Sequence, residues 1–258
     1  MSEHDASLVV SGDIVLGLRR LGMGPGDRVL VHSSLSSFGY VEGGAPTVID
    51  ALLNAVGPEG TVLVPTLTGD EALSPANPPR FDPRSSSCWT GRIPETFRMR
   101  PDAIRSLHPT HSVAAIGRDA ESLTREHIHS ITPCDERSPY GKLAELSNSY
   151  VLLLGVSYQS LTLLHHVEEI AGADYHMQGE LVRAELIMEG APVYRHYFLH
   201  RYGTPRNFGV LEPLLEERGL QTETIVGQAR LRLISAPGLV DAALRCLHAN
   251  PRFFCAAA

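Results

Sequence analysis

The sequence predicts an α/β fold: a central, mainly parallel sheet flanked by helices, with a small antiparallel subdomain towards the C-terminus. Three observations carry this. The short apolar run Val151–Val156 reads as a strand buried on both faces, the habit of parallel sheets, and Arg28–His32 and Gly60–Pro65 read as further strands. These runs alternate with segments of helical periodicity, the order of βα units. After Gly172 the pattern changes to two strand-like runs, Leu181–Met188 and Pro192–Leu199, joined by the hairpin signal Glu189-Gly190.

The elements follow in order. Ser11 or Asp13 caps a short helix that runs to about Leu21. Arg28–His32 is a strand that delivers the polar loop 32–44, HSSLSSFGYVEGG. Ala45-Pro46 opens a helix that stops at Gly57. Gly60–Pro65 is the next strand. The stretch from Thr66 to Arg92, with prolines at 75, 78, 79 and 83, has no periodicity, and a loop of that length after a strand reads as a lid or wall of a site. Trp89, the only tryptophan, reads as a packing anchor on it. Pro94–Arg98 is a short helix, Val113–Ile116 a strand, and Arg118–Glu126 a helix. Ser138 and Pro139 start another. Towards the C-terminus, Val210–Arg218 is a helix, Ile225–Ile234 strand-like, and Leu239–His248 a final helix.

Residues 150–172 carry the chemistry. A buried strand ends in the polar turn Ser157–Ser160, and a helix follows with apolar residues at 161, 163, 164, 167 and 170, capped by Ser160 or Thr162. On it, His165 can meet Glu168 or Glu169, and His166 can meet Glu169, because residues three or four apart are neighbours. An imidazole held by a carboxylate at the carboxyl end of a strand suits a general base. The same spacing also makes ordinary ion pairs.

A chain of 258 residues reads as a single domain over 1–258, with the antiparallel subdomain at 173–235. A formal charge of -7 argues against nucleic-acid binding. No apolar run reaches the length of a membrane span, and the start has no signal-peptide pattern. Cys88, Cys134, Cys246 and Cys255 form no CxxC and fit reduced thiols in a cytoplasm. Twelve histidines raise a metal-dependent hydrolase built from His108, His111, His165, His166 and Glu169 as an alternative, although no closed metal motif is present.

Four segments together resemble one family: residues 30–66, 105–117 (RSLHPTHSVAAIG), 138–146 (SPYGKLAEL) and 151–169 (VLLLGVSYQSLTLLHHVEE). They are similar to the aminoglycoside 3-N-acetyltransferase, or antibiotic N-acetyltransferase, family. The resemblance implies that family's own α/β fold, distinct from the GNAT acetyltransferases, and transfer of an acetyl group from acetyl-CoA to a small-molecule amine. It implies His165 as base and Glu168 as its orienting carboxylate, matching a family segment close to LHLAE, with His166 in the variable place. It further implies that Ser33, Ser34, Leu35, Ser36, Ser37 and Ser138 bind CoA, with no resident metal. Backbone N–H groups, or a hydroxyl such as that of Thr66 or Thr68, are candidate oxyanion donors. Asp70 and Glu71 are the acidic candidates for holding a cationic substrate. One departure stands out. The segment after the second hairpin strand carries Arg195, His196, His200, Arg201 and Arg206, with Asn207 where an acid is expected. A basic wall there would oppose a polycation unless Asp70, Glu71 and Glu212 compensate. Acetylation of a less cationic amine, or CoA binding alone, is therefore the alternative within the family.

Overall fold

The computed structural model describes residues 8–256. The chain opens with β1 (Leu8–Val9), α1 (Ser11–Arg20), β2 (Arg28–Ser33), β3 (Tyr40–Val41), α2 (Ala45–Val56) and β4 (Thr61–Pro65). After the long loop come β5 (Arg80–Phe81), α3 (Arg92–Arg98), β6 (Ile104–Arg105), β7 (Val113–Gly117) and α4 (Ala120–Thr124). Then follow α5 (Pro139–Glu145), β8 (Ser149–Leu154), α6 (Leu163–Ile170), β9 (Val182–Met188) and β10 (Ala191–Tyr197). The chain closes with α7 (Glu212–Glu217), β11 (Gln221–Val226), β12 (Ala229–Ser235) and α8 (Ala236–Ala249).

The main sheet has seven strands in the order β11-β12-β8-β2-β4-β7-β6. Its centre, β8-β2-β4, is parallel, and the pairings outside it are antiparallel. Alternation along the strands sends side chains to opposite faces. Val29, Val31, Leu152 and Leu154 join the core under α1 and α2, whereas Leu30, Val151, Leu153 and Ile234 join the core under α6 and α8. Burial on both faces explains why these strands read as unbroken apolar runs.

The antiparallel stretch expected over 173–235 divides between two sheets. β9 and β10 form a hairpin whose turn, Glu189-Gly190, has φ of 52° and 83°, and β9 pairs with β5 in a separate three-stranded sheet. The single strand expected over Ile225–Ile234 is instead a hairpin turning at Gly227 (φ 57°), and β12 adds it to the main sheet against β8. Two apolar runs with a polar two-residue break look like one strand when the turn lacks a strong hairpin dipeptide.

β2 leads through α2 to β4 on one side of it, while β8 lies on its other side. The boundary between β8 and β2 is thus a topological switch point, where the connecting loops part and leave a crevice at the carboxyl ends of the strands.

Candidate active site

The crevice is a cleft of about 290 Å³ at the ends of β2, β4 and β8. His32 and Ser33 line it from β2, Pro65 and Leu67 from β4 and the loop beyond it, and Gln159 and His165 from the segment after β8. Trp89 and Thr90 close it from the long loop, which therefore forms a wall as expected. Trp89 is not a packing anchor. It is 62% exposed, and its indole N–H donates to Gly69 O at 3.1 Å. Arg105 ties this wall down: its guanidinium donates to the carbonyls of Thr66 and Ser86 at 3.0 and 2.5 Å.

Helix α6 fixes the central side chains. Leu163, Leu164 and Val167 are fully buried against the core. Each such side chain contributes roughly 1.5–3 kcal/mol, which sets the helix's rotation about its axis. Neither Ser160 nor Thr162 caps the helix through its side chain. With that face buried, His165 points towards the cleft. Glu168, one turn on, is 0% exposed.

His165 Nδ1 lies 2.8 Å from Glu168 Oε2, which leaves Nε2 as the free nitrogen of a ring lining the cleft. The same carboxylate oxygen lies 3.1 Å from His176 Nδ1, and Oε1 accepts from Arg206 Nε at 2.8 Å. Burial alone would raise the Glu168 pKa, but the hydrogen bonds and charges of His165 and His176 hold it well below the usual carboxylate range. His176 goes down to about 4, because burial outweighs its glutamate. Arg206, always protonated, sits on the other oxygen of this carboxylate and is its permanent cation. His176 has two arrangements. Nδ1–H donates to Glu168, or Nδ1 accepts from Arg206 Nη2 at 2.9 Å and leaves the proton on Nε2, which is buried without a partner.

The adjacent Glu169 is in the opposite state. It receives Thr132 Oγ1 at 2.5 Å, Cys134 N at 2.9 Å and His200 Nε2 at 2.9 Å, yet burial pushes its carboxyl up to about 8. Two neighbouring glutamates thus hold one charge between them near neutral pH. His32 adds a neutral imidazole across the cleft. Burial, and then the proximity of His165, push it down to about 3, and its Nε2 has no partner among the described residues.

A second cavity of about 610 Å³ is lined by Ser33, Ser34, Leu35 and Ser36, by Gly39–Val41, and by Gly91 and Arg92. Ser33 borders both cavities, so they meet at the end of β2, and its buried Oγ has no partner among the described residues. Ser34 and Ser36 share a hydrogen bond of 3.2 Å, and Ser37 donates inward to Ser34 O at 2.7 Å. Ser138 lies at neither cavity. It is fully buried as the cap of α5, its hydroxyl donating to Asp135 O at 2.6 Å and accepting from Gly141 N at 3.1 Å. The hydroxyls of Thr66 and Thr68 are also spent, on Ser112 O and Pro109 O, so neither is free to serve an oxyanion.

Asp70 and Glu71 are exposed on the long loop, and Asp70 borders a small opening beside His111 and His200. The basic wall expected from Arg195 to Arg206 is not a wall. Arg195 and His196 lie on the outer hairpin, His200 is buried and neutral, and Arg206 turns inward to Glu168. Glu212 is paired with Arg232 at 3.1 Å, and Asn207 accepts from Gly209 N at 3.1 Å to cap a short turn. His108 is structural: its Nδ1 accepts from His111 N at 3.0 Å and its ring stacks on His127. His166 faces away from the cleft, Nδ1 donating to Cys134 O at 2.6 Å, so the donor set expected for a hydrolase is not assembled. His32, His176 and His200, and the inward role of Arg206, carry no spacing signal relative to α6. The high histidine count was the only hint.

A profile described as "Aminoglycoside 3-N-acetyltransferase" matches residues 30–248. Aminoglycoside N(3)-acetyltransferase VII of Streptomyces paromomycinus is 40% identical over 171 residues, 60% of this chain and 59% of that protein, so the match spans less than two thirds of the relative's length. Solved structures are similar over longer stretches. A mutant of aminoglycoside acetyltransferase AAC(3)-IVa in complex with a gentamicin superposes with a TM-score of 0.84 at 29% identity, covering 99% of this chain and 94% of that one. AAC-IIIb in its binary complex with CoASH superposes at 0.80 and 26% identity, covering 98% and 100%. With the profile spanning most of the chain and the fold shared from end to end, this chain belongs to the aminoglycoside 3-N-acetyltransferase family.

Proposed function

We propose that the protein transfers the acetyl group of acetyl-CoA to an amine of a cationic small molecule, the 3-amino group of an aminoglycoside. The observation that carries this is His165: Nδ1 is held by a buried, ionised Glu168, and the ring faces a cleft that meets the serine-lined cavity at Ser33. The solved complexes of AAC-IIIb with CoASH and AAC(3)-IVa with a gentamicin support the two ligand classes. The unpartnered Ser33 hydroxyl and the adjoining Ser34–Ser36 turn fit the pantetheine and phosphates of CoA, with Arg92 at the cavity wall.

Acetyl-CoA supplies an activated acyl group as a thioester. His165 Nε2 takes a proton from the acceptor amine as its nitrogen bonds to the thioester carbonyl carbon. The positive charge that forms on the imidazole is stabilised by Glu168, which also fixes the tautomer. When the C–S bond breaks, the same nitrogen returns the proton to the departing sulfur. The acceptor is cationic because the one arginine among the described residues that reaches the His165–Glu168 pair is neutralised by Glu168, while Asp70 and Glu71 stand exposed on the loop that walls the cleft. Four free cysteines and the use of acetyl-CoA support a cytoplasmic setting for the reaction.

An acceptor screen tests the reading. Free CoA release is followed with aminoglycosides bearing a 3-amino group, with neutral primary amines, and with amines carrying a carboxylate. Turnover of the first group above the others is expected. Preference for the anionic amines, or turnover of none, would overturn it.

A further inference from the structure

Behind the cleft, three imidazoles from separate parts of the chain come together. His165 stacks on His176 with ring centroids 5.1 Å apart, and His200 packs on both, at 4.9 Å from His165 and 4.0 Å from His176. One nitrogen from each lies within 4.8 Å of the others. Their hydrogen bonding has one design. His165 and His176 each set Nδ1 against Glu168, and His200 sets Nε2 against Glu169. Each ring thus has one nitrogen within hydrogen-bond reach of a buried glutamate, the kind of contact that orients a histidine ligand. Nε2 of His176 is buried with no hydrogen-bond partner among the described residues. His165, 23% exposed at its side chain and lining the cleft, supplies the way in. A neighbouring set, His111, Cys134 and His200, shares one ring, but both of its other members are buried.

We propose that His165, His176 and His200 form a site for a divalent transition-metal ion of zinc-like ligand preference, and that its occupancy inhibits acetyl transfer by taking Nε2 of His165. Three histidines with an open fourth position are a common set for such ions. In a tetrahedral site with bonds near 2.05 Å the nitrogens stand roughly 3.3 Å apart, so nitrogens now within 4.8 Å of one another close by at most roughly 1.5 Å. Binding selects the His176 tautomer that donates from Nδ1 to Glu168, releasing its contact with Arg206.

The binding half of the inference stands on geometry alone; the inhibitory half rests on His165 as the base. The probe is Co²⁺, added to full-length protein purified without a histidine tag and stripped with chelator. The expected result is the intense visible absorption of tetrahedral Co²⁺, displaced by Zn²⁺. His165→Asn, His176→Asn and His200→Asn are each expected to weaken Co²⁺ binding at least roughly tenfold. His165 is partly exposed, so its variant remains informative if either buried variant fails to fold. Zn²⁺ is expected to inhibit wild-type transfer competitively with the amine, with full recovery on chelation. No tetrahedral absorption in the wild type, or absorption unchanged in His165→Asn, would overturn the site. Co²⁺ binding as expected with no acetyl transfer under any condition would remove the proposed function and leave the metal site standing.

Discussion

Arg206 Nε lies 2.8 Å from Glu168 Oε1, and this contact, from a segment distant in sequence, sets the charge at the centre of the site. Glu168 is fully buried, and the Arg206 side chain is 14% exposed. Removing one partner of a buried pair strands the other's charge, which costs about 3–5 kcal/mol, whereas replacing both with apolar groups is often close to neutral. Arg206→Met is therefore expected to lower the unfolding free energy by about that amount in urea titrations. Glu168→Met combined with Arg206→Met is expected to recover most of the stability and none of the activity. Full recovery of turnover in the double variant would show that Glu168 serves the fold and not His165.

Two of the five serines predicted alike from the resemblance separate in the structure. Ser138→Ala removes a helix cap and is expected to cost about 1 kcal/mol while leaving the KM for acetyl-CoA unchanged. Ser33→Ala removes an unpartnered hydroxyl at the junction of the two cavities and is expected to raise that KM with little change in thermal midpoint. Steady-state kinetics beside thermal melts distinguish them.

Trp89 is exposed at the cleft, and its removal leaves no core void. Trp89→Ala is expected to leave the thermal midpoint within a degree or so and to raise the KM for a substrate. A large drop in midpoint would restore Trp89 as a packing anchor.

Acid should destabilise the protein above the usual carboxylate range. His127, fully buried with its ring nitrogens bonded to Ser106 Oγ and Pro133 O, is pushed down to about 4 by burial. His32 is pushed down to about 3. Between those values and the unfolded value near 6.5, the unfolded chain binds more protons than the native one, so stability rises with pH across that window and is lost as pH falls through it. Thermal midpoints are expected to drop steadily from pH 6.5 towards 4. In His127→Asn the slope is expected to be shallower even though the protein is less stable throughout. A slope equal to wild type would show that His127 binds its proton in the native state.

The parallel centre of the fold was legible because β2, β4 and β8 are buried on both faces, and double burial writes an unbroken apolar run. Local signals placed α2 between Pro46 and Gly57, the β9–β10 turn at Glu189-Gly190 and the cap at Ser138. The His165–Glu168 contact was legible for the same reason: one helix turn separates the two. What stayed hidden is non-local. β5 pairs with β9 across more than a hundred residues, and β1 with β3 through only two residues on each strand. Arg206 reads as a surface cation in sequence, because nothing in its neighbours announces a carboxylate brought from α6. His176 and His200 are likewise assembled by the fold alone.

The central claim is that His165, oriented by Glu168, is the base. Its most direct test is His165→Asn, with acetyl transfer to an aminoglycoside and CoA affinity measured on the same preparation. The expected result is a fall in kcat of roughly 10²–10⁴-fold with CoA affinity unchanged. Turnover close to wild type in a folded His165→Asn protein would contradict it.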